Sequence, residues 1–521
     1  MDNSLVLTVG FLAILGLTTR IVLNKSRAKS DVQALPGPSS NIASWMWGHE
    51  LLVFQHAATQ MYSVWARSFG DMFKIKAALF HPDIVIATDH AAVQHIFANS
   101  DLYVKSPAFR PPIKNMLGEG LVWAEGEDWH LQRRMLSPAF SPEAVREMMP
   151  AIYECAERLE TRLTNLVLDG SRSNLNLVPY ISACTLDIIG IVGLSHSFSA
   201  QSTRLANDDH SDAAQIRTSW EIFVNTGLQP LAFLAPLVIR ACPTIARAPL
   251  PAMQRQGVTK MIVRRLGRRI LDLGAGKAQG KDIVSILLRA RRVETGAPSL
   301  SDDQILDNIV TFTMAGHETT ASTLTFTLWE LARQPAIQDR LRAEILSYGV
   351  DLSYDDIQKL EFLDAVVKEG LRLYPAAPQT ERVALQDDVI PLATPIAGIG
   401  STFRVCKGQV FCIPFKTINT NPSVWGPAAD VFDPTRWLDG HRADPATLPH
   451  GWSGILTFCD GPRNCIGWRL AILELKIILS TLIRSIVFKD TGARVEAKIS
   501  PTLQAVVDGK GGNLPLCPQL V

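Results

Sequence analysis

Ten residues near the C-terminus, Phe458-Cys459-Asp460-Gly461-Pro462-Arg463-Asn464-Cys465-Ile466-Gly467, constrain this chain more than any other stretch. They place Cys465 in a turn framed by Gly461 and Gly467, with Arg463 two residues before it. The run that follows, Trp468 to Phe488, is apolar nearly all round and so reads as a buried final helix. Eight cysteines are present, without a Cys-x-x-Cys pair or a dense framework. That pattern fits a reducing compartment and one functional thiolate better than a stapled secreted fold.

The chain has 521 residues, 47% of them hydrophobic, ample for a large core. Length alone suggests roughly three domains, but no obvious linker divides the chain after about its first forty residues. A net charge of +1 gives no reason to expect nucleic acid as a partner. The N-terminus stands apart. Asn3 to Thr19 is uncharged and strongly apolar, and extension to Leu23 approaches the roughly 20 residues that span a bilayer. Lys25, Arg27 and Lys29 follow, which predicts an uncleaved anchor over residues 1–35 with the remainder on the cytoplasmic side. A cleaved signal peptide is the competing reading, weakened by the lack of an N-terminal positive charge and of a small-residue cleavage site.

Leu35-Pro36-Gly37-Pro38 reads as a stiff hinge, 56–69 as a helix, and Asp71–Phe80 with Asp83–Thr88 as paired strands. Helix and loop dominate to about Ala384, with strand-like pieces from 385 to 415. The glycines from Gly274 to Gly280 lack phosphate-loop spacing, and His317-Glu318 lacks the second histidine of a zinc-protease helix. Ser301 with Gln304 is a capping-box signature, predicting a helix from there to about Ala332. Inside it lies Ala315-Gly316-His317-Glu318-Thr319-Thr320, where Gly316 costs about 1 kcal/mol against alanine unless something approaches the backbone. Taken alone, this stretch also fits a Thr-rich core helix whose hydroxyls bond back to carbonyls. Glu369 and Arg372 are placed to meet on one helix face before Pro375, and Trp129 and Arg133 lie one helical turn apart.

These four segments together resemble the cytochrome P450 family, from about Pro36 to Phe488. The hinge and anchor resemble microsomal members, and the general style resembles fungal secondary-metabolism members. The resemblance implies a mainly α fold with a small β-sheet region, a single large haem domain over 36–521 preceded by a transmembrane helix. It implies haem b (iron protoporphyrin IX), with Cys465 as the axial iron ligand whose thiolate favours O–O cleavage. Gly461 and Gly467 would let the loop lie close under the porphyrin. Arg463, Trp129, Arg133 and Arg382 would meet the haem propionates, and Ala315, Gly316 and Phe458 would lie against the macrocycle. Gly316 and a local opening of the helix would make room for dioxygen. Thr319 would hydrogen-bond the activated oxygen, and Glu318 with water would relay protons. Glu369, Arg372 and Arg436 would form a buried cluster supporting the haem loop.

The implied activity is insertion of one atom of O2 into a hydrophobic small molecule (terpenoid, steroid, fatty acyl or aromatic) in secondary or xenobiotic metabolism. Electrons would come from NADPH through NADPH–cytochrome P450 reductase at the endoplasmic reticulum membrane, since the chain has no Gly-x-Gly-x-x-Gly fingerprint. Arg463 and Arg469 would meet an acidic reductase surface. Expected pocket walls are 105–122, part of 215–250, Phe312 with Ala315, and 376–381. Leu231 to Ile239 either dips into the membrane or is an ordinary buried helix. The alternatives are a reductase-independent isomerase, dehydratase or peroxygenase, and a non-catalytic haem carrier.

Overall fold

The computed structural model describes residues 30–170, 174–202, 211–241, 257–273, 282–291, 299–349, 352–438 and 451–521. The anchor expected at the N-terminus and the Gly274–Gly280 stretch lie outside these residues. Among the described residues, no helix is long and apolar enough to cross a membrane.

Six helices frame the site: α1 (Gly126–Leu136), α2 (Pro142–Leu168), α3 (Val178–Leu194), α4 (Asp302–Arg333), α5 (Glu361–Leu373) and α6 (Trp468–Ser485). The N-terminus of α4 is the predicted capping box, with Gln304 N–H on Ser301 Oγ at 3.2 Å and Ser301 N–H on Gln304 Oε1 at 3.0 Å. Burial of α4 and α6 along most of their length makes them the centre of the main apolar core. The predicted helix over 56–69 is broken instead. Ala58 N–H leaves for the carbonyl of Ala497 at 2.8 Å, Thr59 turns left-handed at φ 58°, and helix resumes at Gln60.

A five-stranded sheet stands beside this helical body. Its strands are β1 (Met72–Ile75), β2 (Ile84–Ala87), β3 (Tyr103–Lys105), β4 (Thr380–Ala384) and β5 (Val410–Ile413), in the order β1-β2-β5-β4-β3. Only β2 and β5 run parallel. The hinge is docked on this sheet, since Lys74 N–H reaches the carbonyl of Pro36 at 2.9 Å. Phe233 and Leu237 pack against Trp47, Leu51 and Phe54.

Candidate functional site

The Cys465 loop is fixed from three sides. Its own backbone closes it, with Cys465 N–H on the Phe458 carbonyl at 2.8 Å. Gly461 takes φ 67°, and a Cβ there would fall 2.6 Å from the carbonyl oxygen of Phe97, so only glycine seats the loop on the helix His90–Ala98. Gly467, at φ −91°, needs no such freedom, contrary to the expectation for it. From α1, Arg133 grips Asn464 twice, through its carbonyl and its Oδ1, each at 2.7 Å. That interaction holds the residue next to Cys465 and uses both terminal nitrogens of Arg133.

A second set of bonds reaches the loop from α5. Arg372 and Glu369 form a bidentate pair at 2.8 Å on both arms, and Arg436 Nε and Trp437 Nε1 each donate to the same carboxylate at 2.9 Å. Asp433 N–H adds a bond at 2.8 Å, so this buried carboxylate is fully satisfied. Arg372 also bonds the carbonyl of Asn419 at 3.0 Å, whose side chain accepts from Leu456 N–H at 2.9 Å and donates to Thr457 Oγ1 at 3.0 Å. Thr457 in turn donates to Leu371 at 2.6 Å. The two residues ahead of Phe458 are thereby stitched to α5. Asn419 and Thr457 carry no sequence signal, because their role exists only after the chain has folded back.

Cation chemistry surrounds the loop. Arg463 stacks on Trp129 with its guanidinium carbon 4.5 Å from the ring centroid, donates to the Ala124 carbonyl at 2.9 Å and pairs with Glu125. Its side chain is buried, so it is not a surface residue for a reductase to meet; Arg469 is exposed. Lys105 also uses Glu125, at 2.9 Å, and it sits directly opposite Arg382 in the β3–β4 ladder. Like charges facing each other across a ladder repel. Burial, joined by the charges of Arg463 and Arg382, holds the Lys105 ammonium down to about 8 against the opposing pull of Glu125. Among the described residues, Arg382 hydrogen-bonds only Thr380 Oγ1, at 2.6 Å, and the Glu381 carbonyl, at 2.9 Å. Three buried cations therefore share one bonded carboxylate among the described residues, and Arg463 Nε has no hydrogen-bond partner.

That surplus fits a group bearing two carboxylates, as haem does. Cys465 fits it too. The residue keeps accessible surface, as a thiol that is to meet a ligand must. Burial raises the thiol above its usual range, against the opposing pull of the Gly467 N–H and the Arg133 guanidinium. A bound metal cation would offset that burial. Lys105 and Glu125 are the site residues that sequence reading misses; their only signal is the strand register that sets Lys105 against Arg382.

On α4 the expectations are partly revised. The helix runs unbroken from Asp302 to Arg333, so the expected local opening is absent. A Cβ on Gly316 would lie 2.7 Å from Ile189 Cγ1, so the glycine admits α3, a neighbouring helix. Thr319 donates to the Ala315 carbonyl at 2.7 Å, the back-bonding of a core threonine, and keeps its lone pairs free to accept. Glu318 turns toward α3, accepting from Ser182 at 3.3 Å with His317 Nε2 at 3.2 Å. It lines a void of about 20 Å³ with Ser322 and Thr325, whose Oγ1 has no partner. That is room for one water with polar neighbours. Phe312 packs on Phe140 at 5.5 Å between centroids, inside the core.

Behind α4, Glu474 of α6 is 1% exposed, and burial lifts its carboxyl to about 8 in spite of a hydrogen bond with Thr320. A native carboxyl near 8 against about 4.5 unfolded binds more protons when folded, so stability falls as pH rises between those values. Glu474→Gln should flatten the fall of thermal stability across pH 5–8, removing up to roughly 1.4 kcal/mol per pH unit. Identical melting profiles for the two proteins would contradict this.

A family model described as Cytochrome P450 matches residues 36–512. Cytochrome P450 monooxygenase 205 of Postia placenta (strain ATCC 44394 / Madison 698-R) is 29% identical over 95% of this chain and 94% of its own length. Cytochrome P450 monooxygenase 128 of the same fungus is 31% identical over 94% of this chain and 92% of its own. Cytochrome P450 monooxygenase claO of Ampulloclitocybe clavipes is 30% identical over 97% of this chain and 96% of its own.

Proposed function

From a chain that belongs to the cytochrome P450 family, we propose a membrane-anchored monooxygenase that inserts one oxygen atom into a hydrophobic small molecule. The observation that carries this reading is the fixed loop bearing both Cys465 and Arg463, with Arg463 sharing Glu125 with Lys105, which stands opposite Arg382. Haem b, held by Cys465 with its propionates toward those cations, would supply dioxygen activation. Residues 1–35 serve as anchor and 36–521 as one catalytic domain facing the cytoplasm at the endoplasmic reticulum. NADPH–cytochrome P450 reductase delivers the electrons.

The chain's own residues manage protons. Glu318 draws on the water-sized void beside Ser182 and Thr325. Thr319 would turn its hydroxyl away from Ala315, giving up a bond worth about 1 kcal/mol, to hold a proton at its Oγ1. Apolar packing around them excludes bulk water, which keeps proton delivery to these two groups. The reading is tested by reconstituting the full chain with reductase and NADPH and screening lipophilic compounds by mass spectrometry for gain of one oxygen. With a compound that is turned over, Thr319→Ala should release several-fold more peroxide per product. Unchanged coupling would contradict the role given to Thr319.

A further inference from the structure

From Val32 to Gly48 the chain carries no Asp, Glu, Lys or Arg, and none lies between Lys76 and Asp83. The fold clamps these two stretches together. Leu79 N–H donates to the Met46 carbonyl at 2.8 Å, His49 N–H to the Lys76 carbonyl at 2.9 Å, and Lys76 N–H to His49 Nδ1 at 3.0 Å. Trp47 and Leu79 pack on a buried cluster of Ala78, Phe233 and Leu237, which fixes both loops from beneath. Their neighbours face solvent. Trp45 is 78% exposed, Phe80 53% and Ile42 50%, and the rings of Trp45 and Phe80 meet edge to face at 5.4 Å. Leu79 and Phe80 take φ 52° and 58°, a left-handed backbone that bulky residues rarely adopt. Two such residues in succession are costly, and they persist only where the surrounding structure enforces them. Here that strain holds Phe80 out beside Trp45.

A single exposed apolar residue needs no explanation, but an aromatic pair on an uncharged double loop does. The chain itself indicates the occupant. The apolar run Asn3–Leu23 precedes Ser30, after which Asp31 and Pro36 fasten the N-terminal segment to the domain through Arg404 and Lys74. That fastened segment runs directly into Trp45, so the chain proposed to enter the bilayer and this aromatic face share one short stretch. Tryptophan favours the layer between headgroups and acyl chains, and an apolar partner ring can sink beside it. We propose that Trp45 and Phe80, with Ile42 and Met46, form a contact of the domain with a zwitterionic lipid surface. The proposal rests on the membrane-anchored reading and goes beyond it by naming the face that the domain turns to the bilayer. Apolar burial carries the contact, so sodium chloride and anionic lipid should leave it nearly unchanged.

The test places the haem-loaded full chain in phosphatidylcholine vesicles that contain a phosphatidylcholine with a diazirine at the glycerol end of one acyl chain. After irradiation, mass spectrometry should find lipid on peptides covering 39–48 and 77–82 as well as on 1–29. The yield on the two loops should agree within about twofold between roughly 50 mM and roughly 500 mM sodium chloride. Trp45→Ser combined with Phe80→Ser should cut the loop adducts about fivefold, with the adducts on 1–29 and the carbon monoxide band described below unchanged. Trp45→Phe, which keeps an apolar ring, should retain most of them. Loop adducts that survive in the double variant, or that need anionic lipid or low salt, overturn the proposal. So do adducts confined to 1–29, the result expected if a second copy of the chain covers the loops instead. Loop adducts without any on 1–29 would strike the anchor and leave this contact standing, so the two failures are distinguishable.

Discussion

Glu369→Ala is expected to cost the fold roughly 3–5 kcal/mol, because it leaves the buried guanidinium groups of Arg372 and Arg436 without their shared carboxylate. Against a usual total of about 5–15 kcal/mol, that is enough to prevent accumulation of folded protein. The damage should spread in a defined direction. Arg372 also holds Asn419, and Asn419 holds Leu456 and Thr457 immediately ahead of the Cys465 loop. Any variant protein that can be purified should therefore lose haem before it loses bulk helix. Urea denaturation followed by circular dichroism, with pigment absorbance recorded in parallel, checks both statements. A variant with unchanged midpoint and pigment content would show that the cluster does not support the loop.

Lys105→Met is the second large effect, and its two readouts should move in opposite directions. Without an anionic ligand, Lys105 and Arg382 face each other as like charges with Glu125 shared between Lys105 and Arg463. Removing Lys105 should then raise the melting temperature of haem-free protein by a few degrees. The haem-loaded protein should behave otherwise, since a charge-assisted bond worth about 1.5–3 kcal/mol is lost. Retention of haem against an excess of a competing apo-globin should weaken about 10–100-fold. An ordinary structural ion pair would lose stability in both states, and that result would remove Lys105 from the site.

The parts legible in the sequence are those written as short local patterns. The capping box at Ser301, the Glu369–Arg372 pair and the Cys465 loop each depend on residues within one or two turns, and each is formed. Arg436 joins Glu369 as the family pattern implies. What sequence could not supply depends on register and on which helix packs where. Lys105 matters because the ladder places it opposite Arg382. Gly316 matters because Ile189 of α3 fills the space above it, and Glu318 faces Ser182 because α3 and α4 cross there. Helix 56–69 broke because Ala58 found a partner in Ala497, more than four hundred residues away in sequence.

The central claim is that the sulfur of Cys465 binds the iron of a haem, and one spectrum tests it most directly. Full-length protein is purified with its pigment, reduced, and exposed to carbon monoxide. Wild-type protein should give the absorption band of a thiolate-ligated iron carbonyl, and Cys465→His should replace it with the band of an imidazole-ligated one. A folded, pigment-loaded wild-type protein that never shows the thiolate band, or a Cys465→His protein that keeps it, would contradict the account.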